Sequence, residues 1–425
     1  MMTSSYFVPP SGLAFSAPSS FSVKHPSRCL FNSSPIICHC VRVENDLGFV
    51  LHDALDASGG DTRHARAARE AFCSQIERLS SIERETSIVI NRGVDLGKAA
   101  LHIAAEDDAL VSHSSVPLPV DAFLERLDDL SMGFCPLYFP PAGSSPEVFL
   151  SNLERYFYVH HRFRRADPIQ SDTRPLYLHS VLTRRSGSAA MLSLIYSEML
   201  KLLRLWGFMD FDAEIYYPLD AVNLPRGYHK QKSKVSDDIH ILTSESLLVE
   251  ILKNLKHAFW PFPNDNAKSL FLRAAQAANC IKGPTMGKGS LDSYNNMSGL
   301  EVASAKAAQH RLGRGVWTSV RFGDMRCALA ACERLILLGF DSHELRDYGV
   351  LLYHCGFYKE SLQYLKLYLA GKDCAEQMLP ASTAVIETDA LEKLMVRLEL
   401  ILIGEGWGHP PAASRNFLGK YSEPW

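Results

Sequence analysis

The chain has 425 residues, 47% of them hydrophobic and 21% charged, with a formal net charge of −3. That length suggests two or three domains, and no apolar run approaches the ~20 residues of a bilayer span. The acidic balance gives no bulk attraction for nucleic acid or an anionic membrane.

The first 43 residues stand apart. They are rich in Ser and Pro, hold no acidic residue before Glu44, and carry only Lys24, Arg28 and Arg42 as charges. No compact apolar stretch with a small-residue cleavage site marks a secretory signal, whereas a Ser-rich, acid-poor leader has the composition of an organellar transit peptide. The segment is neither Arg-rich nor amphipathic, so the chloroplast stroma is the expected address and the mitochondrion the alternative. Cleavage is expected near Cys38 to Cys40. The ten cysteines include no C-x-x-C pair, so zinc has no ligand pattern, and neither metal nor cofactor is expected.

Helical spacing then dominates. Helices are expected over about 63–82, over 95–110 with Leu96, Ala100, Ile103 and Ala104 on one stripe, and over 120–130 through Phe123, Leu124, Leu127 and Leu130. "GFCPLYFPPAGSS" reads as a loop too rich in breakers for any helix. It ends with Ser145 as N-cap and Pro146 at the first helical position, launching a helix to about His160. A central helix follows from about Ser188 to Trp206, with Leu192, Ile195, Tyr196, Met199 and Leu203 packing one side. "FDAEIYY" (211–217) alternates as a strand, with "IHIL" (239–242) as a short candidate partner. Residues 244–260 return to helix, and 282–298 form a Gly/Ser/Asn-rich linker.

Beyond the linker, Gly349 falls where two helices approach closely and Gly356 breaks the pattern between them. Tyr358, Leu362, Leu365 and Tyr368 face the return helix inward. With a half-unit at 324–338 this reads as a tetratricopeptide-like hairpin, too short an array to stand alone and therefore expected to pack on the preceding domain.

Four blocks in this order, "LERLDDL" (124–130), "YLHSVLTRRSGSAAMLSLIYSEML" (177–200), "ILKNLKHAFW" (251–260) and "LRDYGVLLYHCGFYKESLQYLKLYL" (345–369), resemble the SirB-type family. That resemblance implies an α+β, mainly helical fold. It comprises a helical N-terminal region, a degenerate papain/transglutaminase-like core with a small sheet, and tetratricopeptide-like hairpins at the C-terminus. Domain bounds follow: 1–43 transit peptide, 44–281 helical region plus transglutaminase-like domain, 282–298 linker, 299–425 helical domain.

The chemistry implied by the resemblance needs a Cys near the N-terminus of the central helix, where the helix dipole and a histidine from a following strand generate the thiolate. Aligning Gly187 and Tyr196 with the family pattern G-x-P-x-S-L-x-x-x-Y places Met191 at the nucleophile and Ala189 at the usual Pro. A thioether has no proton to lose. Independently of the alignment, no cysteine occurs between Cys135 and Cys280. Ser188 suits an N-cap, and Ser193 lies on another face of the helix. His229 falls in a basic loop expected to be exposed, and His240 begins the presumed second strand. The family's P-G-H-F-like and D-x-F-x-G-G-like elements have no clear counterparts.

Three functions are consistent with these residues. The first is a non-catalytic transglutaminase-like module that binds a protein or peptide, with Met191, Tyr196, Tyr348 and Tyr358 as candidate contacts. The second is a divergent serine hydrolase or acyl-transferase using Ser188 or Ser193 with His240. The third is an RNA-associated factor using His160, His161, Arg162, Arg164 and Arg165 and the basic loop 226–234. The acidic total disfavours the third, and a solvated helix end explains its first patch more simply.

Overall fold

The computed structural model describes residues 49–57, 59–112, 116–141, 143–166, 172–218, 220, 222–230, 242–262, 268–280, 318–319, 323–339, 341–372 and 381–408. The expected leader (1–43), the linker (282–298) and His240 lie outside the described residues, as does all of "IHIL" but Leu242. The described chain is mainly helical with three small two-stranded sheets.

In chain order the first helices are α1 (Leu51–Ala57), α2 (Arg63–Ile76), α3 (Ser81–Glu85), α4 (Leu96–Ser112), α5 (Val120–Met132), α6 (Phe134–Tyr138) and α7 (Pro146–Glu154). The single helix expected over 63–82 is therefore two. Ser80 starts the second, its side chain accepting from the Glu83 N–H. The expected breaker loop contains α6, because Pro136 falls in its first turn, where a missing N–H leaves no helical bond unmade. Beyond α7 the helix continues as a π-helical turn, Arg155–His160.

A short parallel pair follows, β1 (Arg164–Arg165) with β2 (Ser186–Gly187), enclosing α8 (Leu178–Arg184). Strand β2 runs directly into α9 (Ala189–Leu205). Every residue from Ala189 to Ser197 is buried, so this helix is enclosed on all sides over its first turns rather than on one face. Its sequence explains this, since "AAMLSLIY" carries no charge that would have to stay wet. Fully enclosing Leu192, Leu194 and Ile195 stabilises the fold by about 1.5–3 kcal/mol each.

The hairpin of β3 (Ala213–Tyr216) and β4 (Arg226–His229) packs against α9, pairing Ala213 with His229 and Ile215 with Gly227. The described partner of β3 is thus β4, ahead of the candidate at 239–242, of which Leu242 alone is described. The alternation of β4 was hidden because the inward position is a glycine. A Cβ on Gly227 would lie 2.9 Å from Leu150 and 3.0 Å from the Tyr196 ring.

Helices α10 (Ser244–Phe259) and α11 (Leu270–Cys280) precede the β5 (Thr318–Ser319) and β6 (Gly323–Asp324) pair. α10 opens with a reciprocal cap between Thr243 and Ser246. The chain then forms α12 (Met325–Leu338), α13 (His343–Cys355), α14 (Tyr358–Lys372) and α15 (Ala381–Gly408). α13 and α14 make the expected antiparallel hairpin, with Gly356 at φ +85° ending the first. α12 packs along α10, and two buried ionic clusters fasten these later helices to the earlier ones. In one, Arg334 of α12 donates to Glu106 at 3.0 Å and to Asp107, while Arg69 of α2 donates to Glu106 at 2.6 Å. In the other, Lys256 of α10 bonds Glu344 at 2.6 Å and Asp347 at 3.0 Å.

Candidate functional site

The N-terminal end of α9 is built by α8 and the two residues after it. α8 stops at Arg185, whose left-handed backbone (φ +60°) turns the chain into β2. Gly187 then passes so close to α8 that a Cβ would meet both γ-carbons of Val181 at 2.8 and 2.9 Å. The Ser188 N–H donates to the Pro175 carbonyl at 2.9 Å, closing the start of the helix against the preceding turn.

Ser188 takes the N-cap conformation, and its Oγ accepts from the Met191 N–H at 3.3 Å. Its oxygen thereby satisfies an otherwise unpaired helix amide. Met191 is 1% exposed and belongs to the main hydrophobic core, so its thioether fills space rather than lining an open groove. Ser193 is 0% exposed, and its Oγ has no hydrogen-bond partner among the described residues.

The resemblance implies a base on a strand after α9, and the described polar groups of β3 and β4 have other partners. His229 is a half-buried strand residue rather than part of an exposed loop. Its ring lies edge-on to Phe211 at 5.7 Å and its Nδ1 is 3.6 Å from the Glu147 carboxylate of α7. Phe211 follows the C-terminal end of α9, where Arg204 pairs with Asp212, so His229 stands toward the opposite end of the helix from Ser188. Glu214, buried on β3, accepts from Tyr228 and Lys230 at 2.6 Å each. That acid orients a phenol and an ammonium rather than an imidazole.

The free cysteines among the described residues are Cys73, Cys135, Cys327, Cys332 and Cys355. Cys135, within α6, and Cys73 both have thiols pushed up by burial, which favours the protonated form. Cys327 and Cys332 are buried in α12, and burial raises both well above the ordinary value. Among the described residues no group of three or more His, Cys, Asp and Glu side chains converges as a metal would require.

The candidate contact residues do not form one surface. Tyr196 is buried in the main core beside Phe157, with ring centroids 5.8 Å apart. Tyr348 is buried in a second cluster, its hydroxyl donating to Glu333 at 2.7 Å and accepting from the Val50 N–H at 3.2 Å. Tyr358 is half-buried against Tyr353 in that same cluster.

Two features were not read from the sequence. His179 of α8 is wedged between Phe123 and Tyr177, its Nδ1 buried with no partner among the described residues, and burial holds it below the ordinary imidazole range. Arg162 and Arg185 are the non-glycine residues with positive φ among those described, and both flank the β1–β2 pair. Composition carries no signal for either, because each conformation is imposed by contacts across the fold.

Residues 121–206, from α5 to the end of α9, match the family model of the transglutaminase-like superfamily. The matched stretch contains the enclosed helix and its approach and ends before β3. No curated protein and no solved structure matches the chain.

Proposed function

We propose that this chain is a non-catalytic transglutaminase-like protein of the plastid that works as a protein- or peptide-binding module. The observation that carries the reading is the state of the α9 N-terminus. The residue aligned with the nucleophile is a buried methionine, Ser188 is occupied as a helix cap, and Ser193 is sealed in the core. Acyl transfer needs a nucleophile and a base within hydrogen-bond reach of one another. The described histidine of the hairpin, His229, has its contacts at the other end of the helix.

The address rests on the composition of residues 1–43, and the C-terminal helices, read as tetratricopeptide-like, would add a second surface for a partner. A serine-reactive fluorophosphonate probe tests the reading against a hydrolase. Wild-type protein is expected to remain unlabelled, with Ser188→Ala indistinguishable from it. Labelling that disappears in Ser188→Ala or Ser193→Ala would replace the binding module with a serine enzyme.

A further inference from the structure

Residues 151–200 contain seven arginines and no lysine. The fold gathers several of them on the surface around β1 and β2. Arg164 and Arg184 are exposed, and the Arg164 N–H donates to the Arg185 carbonyl at 2.9 Å, which draws the two segments together. Arg185 in turn donates from Nη1 to the His161 carbonyl at 2.8 Å, fixing the turn that presents exposed Arg162.

Among the described residues no carboxylate pairs with Arg162, Arg164 or Arg184. Asp172 is held below the usual carboxylate range chiefly by its hydrogen bond from Arg174, at 2.7 Å, with a weaker contribution from Arg184. Arg162 and Arg185 also hold left-handed backbone, at φ +58° and +60°, which side-chain-bearing residues adopt at an energetic cost. Glycine would adopt it freely, so the chain keeps guanidinium groups at positions where its backbone favours none.

We propose that this arginine ridge binds a carboxylate-rich peptide segment of a partner protein. Guanidinium forks match carboxylates two bonds at a time, which a lysine surface would not do. Single-stranded nucleic acid fits less well, because sequence-independent binding of bases uses exposed aromatic faces. The exposed ring on this ridge, His160, already stacks on Tyr156 at an interplanar angle of 12°. The net charge of −3 supplies no long-range field for a polyanion, so recognition must be local.

The inference rests on the binding-module reading and names its partner class. The probe-labelling experiment reads the α9 end and the following one reads the ridge, so either can fail alone. Full-length protein is titrated into fluorescein-labelled hexaglutamate, and separately into a labelled oligouridylate, with fluorescence anisotropy as readout. Hexaglutamate is expected to bind more tightly than the oligouridylate at equal salt and to weaken as salt screens the contact. The double variant R164E/R184E should lose on the order of tenfold or more in affinity, since two exposed charge-assisted pairs become repulsive. Arg162→Gly should weaken binding several-fold while raising the melting temperature, a combination that a merely unfolded variant cannot give. Absence of hexaglutamate binding, equal binding by R164E/R184E, or tighter binding of the oligouridylate would each overturn the proposal.

Discussion

Met191 and Ser193 stand two positions apart on α9 and are buried for different reasons. The methionine is apolar and flexible, and its enclosure contributes to stability as any core side chain does. The serine brings a hydroxyl into the same dry surroundings with no partner for it among the described residues. Such a group retains its desolvation penalty of about 1–3 kcal/mol. Ser193→Ala is therefore expected to stabilise the protein by about 1 kcal/mol, read from urea unfolding at constant m-value. A comparable loss would show that the hydroxyl is bonded after all. At this scale the sequence is informative where chemistry is intrinsic to a residue. A thioether cannot ionise wherever it sits, and Ser188 caps its helix as its position before an apolar run implies.

The elements were legible where the pattern is long and the caps are conventional. α9 and α10 begin and end within about a residue of their expected bounds, and the α13–α14 hairpin breaks at Gly356. Strand β4 was missed because an inward glycine carries no hydrophobic signal, and the reason for that glycine is Tyr196 of another element. Gly349 shows the same contest inside a helix. Alanine would improve helix propensity by about 1 kcal/mol. Its Cβ would lie 2.8 and 2.9 Å from Leu365 side-chain atoms and 3.4 Å from the Ser361 carbonyl oxygen, in a buried seam. Overpacking of that kind costs about 1–3 kcal/mol. Gly349→Ala should accordingly lower stability by about 1 kcal/mol despite the better helix former. A stabilised variant would mean the α13–α14 seam is looser than the contacts imply.

For the whole molecule, the buried ions decide how the later helices relate to the earlier ones. Arg334 and Glu333 of α12 meet Arg69, Glu106 and Asp107 of α2 and α4 away from water, and Lys256 of α10 meets Glu344 and Asp347 of α13. Ion pairs removed from solvent gain little net stability when complete, and cost several kcal/mol when one partner is lost. They act as a registration device, penalising any arrangement in which α12 leaves its place. None of this was legible from sequence, where the same residues look like solvated charges on amphipathic helices. Their burial follows from the pairing of distant segments, 228 residues apart for Arg334 and Glu106 and 88 for Lys256 and Glu344.

The site divides along the same line. The lack of a cysteine and the methionine at the helix start are written in the chain. The orientation of the hairpin, which turns Gly227 toward α9 and leaves His229 beside Phe211, emerges only with the fold.

We propose that this scaffold encloses no reactive centre. Turnover by the purified chain of a panel of peptide, ester and amide substrates tests it most directly, run beside Met191→Ala. No turnover above buffer is predicted for either protein, and a rate in the wild type that Met191→Ala abolishes would contradict the account.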